Sequence, residues 1–403
     1  MGFSQGLSGL SAAAKALDVV GNNIANSQTV GFKAGSVAFA DVFAWSMGLG
    51  VQVAGVSQNF ETGNLATGSS ALDMGINGKG FFRMVDSAGS VFYGRNGQFE
   101  EDDKGFIVNK TNGLFLTGYQ ATDGVINPGA PMGPIRIPKD DMPPAASTNG
   151  SLTGNLSSES KKPTVAPFDA KNPDSYNYVS EIEATDSLGN KHAVKVYFVY
   201  GGDGEWTAHA QDSTAPAGGD DTKFTPIPLK FGKDGKLEKP TDATGVVNGD
   251  GYNGSANLVL TLDLGALTQF SSDTQIMKGE IDGQAPGKFN SYQVGENGDV
   301  TVIYSNGKRQ VVAQVVMADF ANMGGLDPQG NNLWAETNQS GQPFFGTSGT
   351  GSFGTIKGGM VEQSNVNLGD EMVNMIVYQR NYQSNSQTIK TQSEVLQTLV
   401  NLR

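Results

Sequence analysis

Cysteine is absent from this 403-residue chain, and histidine occurs only twice. Without cysteine there is no disulfide, no thiol nucleophile and no thiolate metal ligand. That absence suits a protein that leaves the cell unfolded and must not cross-link on the way. The two histidines, His192 and His209, both fall in the stretch Asn190–Ala210. Asp203 and Glu205 are close in sequence but sit in its turn, so the histidines read as surface strand residues rather than metal ligands. No local motif supports a Ser-His-Asp arrangement. Long apolar runs are also missing, which excludes a helical membrane span. The opening "MGFSQGLSGLSAAAK" lacks the basic region, apolar core and cleavage site of a secretory signal, and Gly6 stands where a myristoylation motif needs Ser or Thr. Basic residues number 27 against 40 acidic ones, a net charge of −13, with no dense basic run. A phosphate backbone would be repelled, so nucleic acid is not an expected partner.

What is present is glycine, 55 residues of it, against a hydrophobic content of only 37%. That balance favours β structure with many turns. "GFFRMVDSAGSVFYGRNGQFEEDDKGFIVNKTNGLFLTGY" (80–119) alternates strand-like runs with turn clusters. "NKHAVKVYFVYGGDGEWTAHA" (190–210) reads as a hairpin. Residues 289–320 read as a meander with Asn-Gly turns at 297–298 and 306–307. "GTGSFG" (349–354) matches a dinucleotide-loop pattern, but the glycine-rich, β-branched sequence after it cannot open the helix that such a site needs. "NGDGYNG" (248–254) lacks the spacing and terminal Glu of a calcium loop.

The ends differ from the middle. Phe3, Leu7, Leu10, Ala14, Leu17, Gly21 and Ile24 recur at alternating steps of four and three, the pattern of a helix packing along a narrow seam. Ser4 is the expected N-cap. Gly21, Asn22 and Asn23 weaken the helix and place its end between Val20 and Asn26. At the other end Leu368, Met375, Tyr382, Ile389 and Leu396 are spaced by seven. A companion line, Met372, Gln379, Ser386, Ser393 and Val400, is polar in its middle. Asn367 with Asp370 resembles a capping box, and a helix is expected from about Leu368 to about Leu402. Two segments read as boundaries, Pro138–Asn155 and Met277–Lys288. The expected fold is mainly β with terminal α-helices: coiled-coil helices at both ends and two stacked β-rich domains, the outer inserted in the inner. The expected divisions are 1–26 (helix), 27–71 (connecting segment), 72–144 and 285–363 (inner β domain), 145–284 (outer β domain) and 364–403 (helix).

"NNIANSQTVGFK" (22–33), after the "GLSGLSAAAKALDVVG" helix, resembles the N-terminal motif of bacterial flagellar rod and hook proteins. Its motif positions are Asn22, Asn23, Ile24, Ala25, Asn26, Thr29, Gly31, Phe32 and Lys33. "SNVNLGDEMVNMIVYQRNYQSNSQTIKTQSEVLQTLVNLR" (364–403) resembles the matching C-terminal motif. Residues 80–99 and 322–341 are similar to the inner β domain of that family. The long insert resembles the hook branch of the family rather than its shorter rod proteins; a distal rod protein with an inserted domain is the alternative. A secreted enzyme or adhesin would need a binding pocket that no motif indicates.

The resemblance implies a non-enzymatic structural subunit that needs no cofactor and is exported unfolded without a cleaved signal. It implies self-assembly into a curved extracellular tube, a universal joint passing torque from rod to filament. It implies that the terminal helices pair as an inner layer through Leu7, Leu10, Leu17 and Ile24, and through Leu368, Met372, Met375, Tyr382, Ile389, Leu396 and Val400. Implied partners are other copies of the chain, the distal rod protein, the hook cap protein, the hook-filament junction protein and the flagellar export apparatus.

Overall fold

The structure, a computed structural model, describes the chain except residues 1, 45–46, 215–225, 241 and 402–403. The chain builds one unit, leaves it for a second and returns. The first comprises Met1–Lys139, Ser291–Ile303 and Arg309–Arg403; the second comprises Asp140–Asn290 and Tyr304–Lys308.

In the first unit, helix α1 spans Gly2–Ala25 and helix α2 spans Leu368–Asn401. Because α1 already begins at Gly2, Ser4 lies inside it and is not the cap. Asn367 does cap α2: its Oδ1 accepts the Gly369 N–H at 3.0 Å and its carbonyl accepts the Glu371 N–H at 3.0 Å. At the end of α1 the Asn26 amide turns back and donates to the Asn22 carbonyl at 3.0 Å.

The connecting segment holds an element that the sequence does not announce. Strand β1 (Gly35–Ala44) pairs antiparallel with β2 (Met47–Gln58), with irregularities after Ala38 and Val42. A two-stranded ribbon is marginal alone and needs a helix to lie on. α1 supplies it: the Val51 N–H donates to Ser8 Oγ at 3.3 Å. The Phe39 ring lies 6.5 Å from that of Tyr378 on α2. Small residues and weak alternation hide this hairpin from a periodicity reading.

The β part of the first unit includes antiparallel strands in the spatial order 344–347, 309–319, 81–85, 91–94, 333–335 and 327–330. Its core is aromatic. Phe81 meets Trp334 at 5.7 Å and Phe320 at 6.0 Å, and Tyr93 meets Phe320 at 4.8 Å, all edge to face. Phe60, from the connecting segment, inserts 5.5 Å from both Phe81 and Trp334. Two further short pairings join the outgoing and returning passages of the chain: Leu65–Thr67 with Met360–Glu362, and Met74–Asn77 with Thr355–Gly358. The "GTGSFG" stretch is a loop that leads into strand Thr355–Gly358.

The second unit is a sandwich of a five-stranded antiparallel sheet (178–185, 191–202, 205–212, 227–231, 237–239) and a four-stranded sheet (244–249, 258–270, 149–157, 275–281). Leu258, Leu260, Leu262 and Leu264 alternate with outward residues along one strand and are at most 1% exposed. They join Val194, Val196, Phe198 and Trp206 from the other sheet in one core. Leu260→Ala should destabilise this unit by about 2–5 kcal/mol. Calorimetry should show its transition lowered while that of the first unit stays in place, because the cores are separate.

Two local expectations need correction. The boundary segments run into sandwich strands: Met277–Ile281 lies in strand Gln275–Ile281, and Asn149–Asn155 lies in strand Asn149–Ser157. His192 is not a surface residue: it is 0% exposed. Its Nδ1 lies 2.5 Å from Asp212 Oδ2, and its Nε2 lies 3.5 Å from Asp186 Oδ2. Two acidic neighbours make burial of a polar ring tolerable on a strand whose apolar residues share its face. His209 is half-buried, its ring stacked 4.2 Å from Phe168. Among the described residues, no cluster of His, Cys, Asp or Glu is placed to hold a metal, and no helix is long and apolar enough to cross a membrane.

Candidate assembly seam and helix junction

α1 and α2 pack antiparallel. A Cβ on Gly6 would lie 3.1 Å from Ile389 Cγ1, and one on Gly9 would lie 2.7 Å from the Asn385 carboxamide. At the far end Asn23 Nδ2 donates to Glu371 Oε1 at 3.0 Å. Gly6, Gly9, Ala13, Ala16, Val20 and Asn23 recur at steps of three and four, so they form one line on the helix. Ala13, Ala16, Val20 and Asn23 are all buried. Small residues let the backbones approach closely. On α2 the corresponding half-buried positions are Glu371, Met375, Tyr378, Asn385, Ile389 and Gln392.

The apolar line read from the sequence is therefore displaced by one residue on α1 from the line along which the two helices meet. Leu10, Leu17 and Ile24 are half-buried, while Phe3 is 45% and Leu7 53% exposed. On α2, Met375 and Ile389 do face inward, whereas Leu368, Met372, Tyr382 and Leu396 are exposed. Val400 lies within α2, but its side chain falls outside the described residues. Val373, Ile376 and Val377 extend the exposed apolar surface. A 3.5-residue repeat marks which residues share a face, not which face meets which partner.

The motif after α1 forms a junction. Asn23 is buried: it also donates to the Gly35 carbonyl and accepts the Gly35 N–H, both at 2.8 Å. One carboxamide thus ties α1, β1 and α2 together. Thr29 Oγ1 donates to Asn26 Oδ1 at 3.1 Å. Ile24 is half-buried and Ala25, the last helical residue, is exposed. Gly31 has φ +72°, and its N–H donates to the Glu362 carbonyl at 2.8 Å. A Cβ there would lie 2.5 Å from the Asn96 backbone nitrogen. Phe32 is buried beside it.

Lys33 completes the junction. Its Nζ donates to Glu362 Oε1 at 2.7 Å and to the Glu61 carbonyl at 2.6 Å. Arg95 Nη1 donates to Glu362 Oε2 at 3.1 Å, and its Nη2 to the Gly78 carbonyl at 2.8 Å. The Gly63 N–H also donates to Glu362 Oε1, at 2.8 Å. All three ionic side chains are at most 1% exposed. Burial and the neighbouring Arg95 lower Lys33 to about 8, against the pull of Glu362. Burial also lowers Arg95 from its ordinary value. Glu362 thus joins the segment after α1, the β domain and the segment before α2. Lys33 was singled out by its motif. Arg95 and Glu362 were not, although a lone charge inside an apolar, strand-like run such as "MVE" signals a buried partner.

Four family descriptions match the chain in order. "Flagella basal body rod protein" matches residues 5–33 and "Flagellar hook protein FlgE/F/G D1 domain" residues 75–154. "Flagellar basal body protein FlaE D2 domain" matches residues 155–284 and "Flagellar basal body rod FlgEFG protein C-terminal" residues 357–402. The chain is 47% identical over 407 residues to the flagellar hook protein FlgE of Escherichia coli K12, covering 100% of both chains. It is 46% identical, again over 100% of both, to that of Salmonella typhimurium, and 32% identical to that of Rhizobium meliloti over 99% of this chain and 98% of the relative. In fold it is similar to the crystal structure of Helicobacter pylori flagellar hook protein FlgE2, with a TM-score of 0.53 at 16% identity over 72% of this chain and 99% of that one.

Proposed function

Since this chain belongs to the flagellar hook protein family, as a structural hook subunit and neither an enzyme nor a rod protein with an inserted domain, we propose that its terminal helices form the inner layer of the tube. The observation that carries this reading is the apolar surface that the helix pair leaves uncovered: Phe3 and Leu7 on α1, and Met372, Val373, Ile376, Val377 and Leu396 on α2. Within one chain the small-residue line of α1 brings the two helices together, and the large residues beside it turn outward. Neighbouring copies cover them, and desolvation of these side chains holds the tube. The buried Glu362 junction couples the helices to the β domain, so that torque applied to one reaches the other and the tube acts as a universal joint. The sandwich unit carries the outer contacts, which are polar and weak enough to slide as the tube bends. The subunit leaves the cell unfolded through the flagellar export apparatus and adds to the tube outside the cell beneath the hook cap protein. The tube begins on the distal rod protein and ends at the hook-filament junction protein.

Leu396→Asp tests this. Leu396 is 54% exposed in the single chain, so the substitution should leave monomer unfolding unchanged. In the tube it removes apolar burial of about 1.5–3 kcal/mol at every subunit and adds the desolvation of a carboxylate. Tubes should be absent by electron microscopy while mutant protein still reaches the culture medium. Normal tubes would show that the contact face lies elsewhere.

A further inference from the structure

We propose that Asn253, at the tip of a turn in the sandwich unit, is a modification site: it deamidates spontaneously and becomes isoaspartate. The chain carries eight Asn-Gly pairs, beginning at 77, 96, 112, 149, 248, 253, 297 and 306. In such a pair the glycine nitrogen, on losing its proton, can attack the asparagine Cγ, because glycine puts no side chain in the way. The new N–C bond closes a succinimide ring. The side-chain nitrogen leaves as ammonia, with the proton the glycine gave up passed through water. Water then opens the ring. Opening at the asparagine backbone carbonyl routes the chain through the side chain and gives isoaspartate, and opening at Cγ gives aspartate. Water is the one co-reactant. Attack needs a glycine nitrogen free of hydrogen bonds and a carboxamide free to turn toward it, and both are properties of the fold.

Seven of the pairs are held. Four have their glycine N–H already donated: Gly78 to Thr62 Oγ1 at 3.1 Å, Gly113 to the Asn109 carbonyl at 2.8 Å, Gly298 to the Gly295 carbonyl at 3.0 Å and Gly307 to the Tyr304 carbonyl at 2.9 Å. The buried Asn96 carboxamide donates to Thr111 Oγ1 and accepts the Gln98 N–H, both at 2.9 Å. Asn149 Nδ2 donates to Asp282 Oδ2 at 2.9 Å. Asn248 and Gly249 lie in a strand, opposite Val259 and Leu258. Asn253 differs. It and Gly254 are exposed, with φ of 56° and 86°, and the Ser255 N–H donates to the Tyr252 carbonyl at 3.1 Å. That is a type I′ turn, which leaves its middle N–H, that of Gly254, unbonded. Among the described residues, neither that N–H nor the Asn253 carboxamide has a hydrogen-bond partner. A Cβ on Gly254 would meet nothing within 4 Å. The chain on both sides of the tip is pinned. The Gly251 N–H donates to Asn257 Oδ1 at 3.0 Å, Tyr252 Oη to the Lys191 carbonyl at 2.6 Å, and the Ala256 N–H to Ser187 Oγ at 3.0 Å. Opening the single turn bond therefore frees the reacting pair while the sandwich stays folded.

Each event turns a neutral carboxamide into a carboxylate, so a chain of net charge −13 becomes one unit more acidic on its sandwich unit, and the modified fraction rises with the age of the folded subunit. The test holds the full-length chain at mildly alkaline pH in heavy-oxygen water and follows all eight sites by peptide mass spectrometry. In folded protein Asn253 should gain heavy oxygen at least about tenfold faster than any of the other seven, and in denaturant the eight rates should converge to within about threefold. Fragmentation should identify isoaspartate at 253. Asn253→Gly accepts the same positive φ and removes the carboxamide. It should leave the unfolding transitions unchanged and abolish the slow acidic shift that isoelectric focusing shows for the ageing parent. Conversion at another pair as fast as at Asn253 in folded protein overturns the assignment. So does an acidic shift that persists in Asn253→Gly, or an Asn253 that stays intact in folded protein while the denatured chain converts.

Discussion

Glu362→Gln should destabilise the first unit by about 3–5 kcal/mol, because it leaves two buried cations without their shared anion. The substitution keeps the side chain's size and its ability to accept the Gly63 N–H, so packing is not the cause. Lys33 and Arg95 remain within the site, each at most 1% exposed. Water cannot reach them, and the Glu61 and Gly78 carbonyls alone do not neutralise them. Denaturant unfolding should show an early transition for the unit that bears the helices, and an unshifted one for the sandwich. Equal loss in both units would mean that the junction is not where the energy resides.

The same site sets a pH dependence with a definite sign. Lys33 is held at about 8 in the folded chain against 10.5 unfolded. Between those values the unfolded chain holds a proton that the folded chain lacks, so stability rises with pH across the window. Relative to Lys33→Met, which cannot titrate there, the parent chain should gain about 2–3 kcal/mol between pH 8 and 10. Glu362→Gln should recover part of its loss over the alkaline range, since a neutral lysine needs no counter-charge. A parent chain that falls relative to Lys33→Met as pH rises would reverse the assignment.

Gly31→Ala should be the most damaging single-methyl change in the terminal segments, costing at least about 3 kcal/mol. Two penalties add there. A left-handed φ of +72° is unfavourable for any residue with a Cβ, and that Cβ would stand 2.5 Å from Asn96 N and 2.6 Å from the Arg95 carbonyl carbon. These are backbone atoms of the strand end that positions Arg95, so relief would displace the junction itself. Gly21→Ala is the control. Gly21 lies inside α1 with nothing within 4 Å of an added Cβ, so alanine should stabilise the helix by up to about 1 kcal/mol. If both variants unfold alike, the close approach at Gly31 does not constrain the chain.

By itself the sequence determined what depends on neighbours a few residues apart. The 3.5-residue recurrence at both ends marks α1 and α2, Asn367 marks the start of the second, and Gly298 and Gly307 take positive φ at the expected Asn-Gly turns. Alternation along 190–210 marks the hairpin, whose turn is at Asp203-Gly204. Those features follow from backbone sterics and from which side chains share a face. Only the tertiary structure decided which face met which partner. The α1 line that meets α2 is made of Gly, Ala and Asn, since close approach of two backbones excludes the large residues that dominate a hydrophobic pattern. β1 and β2 exist because α1 offers them a surface. His192 is buried because Asp186, six residues before it, and Asp212 on the neighbouring strand converge on it, and Lys33 is buried because Glu362 arrives from 329 residues away. A charge in a sequence carries no record of its counter-ion: desolvation and pairing are properties of positions in space, and the chain sets those only once it has folded.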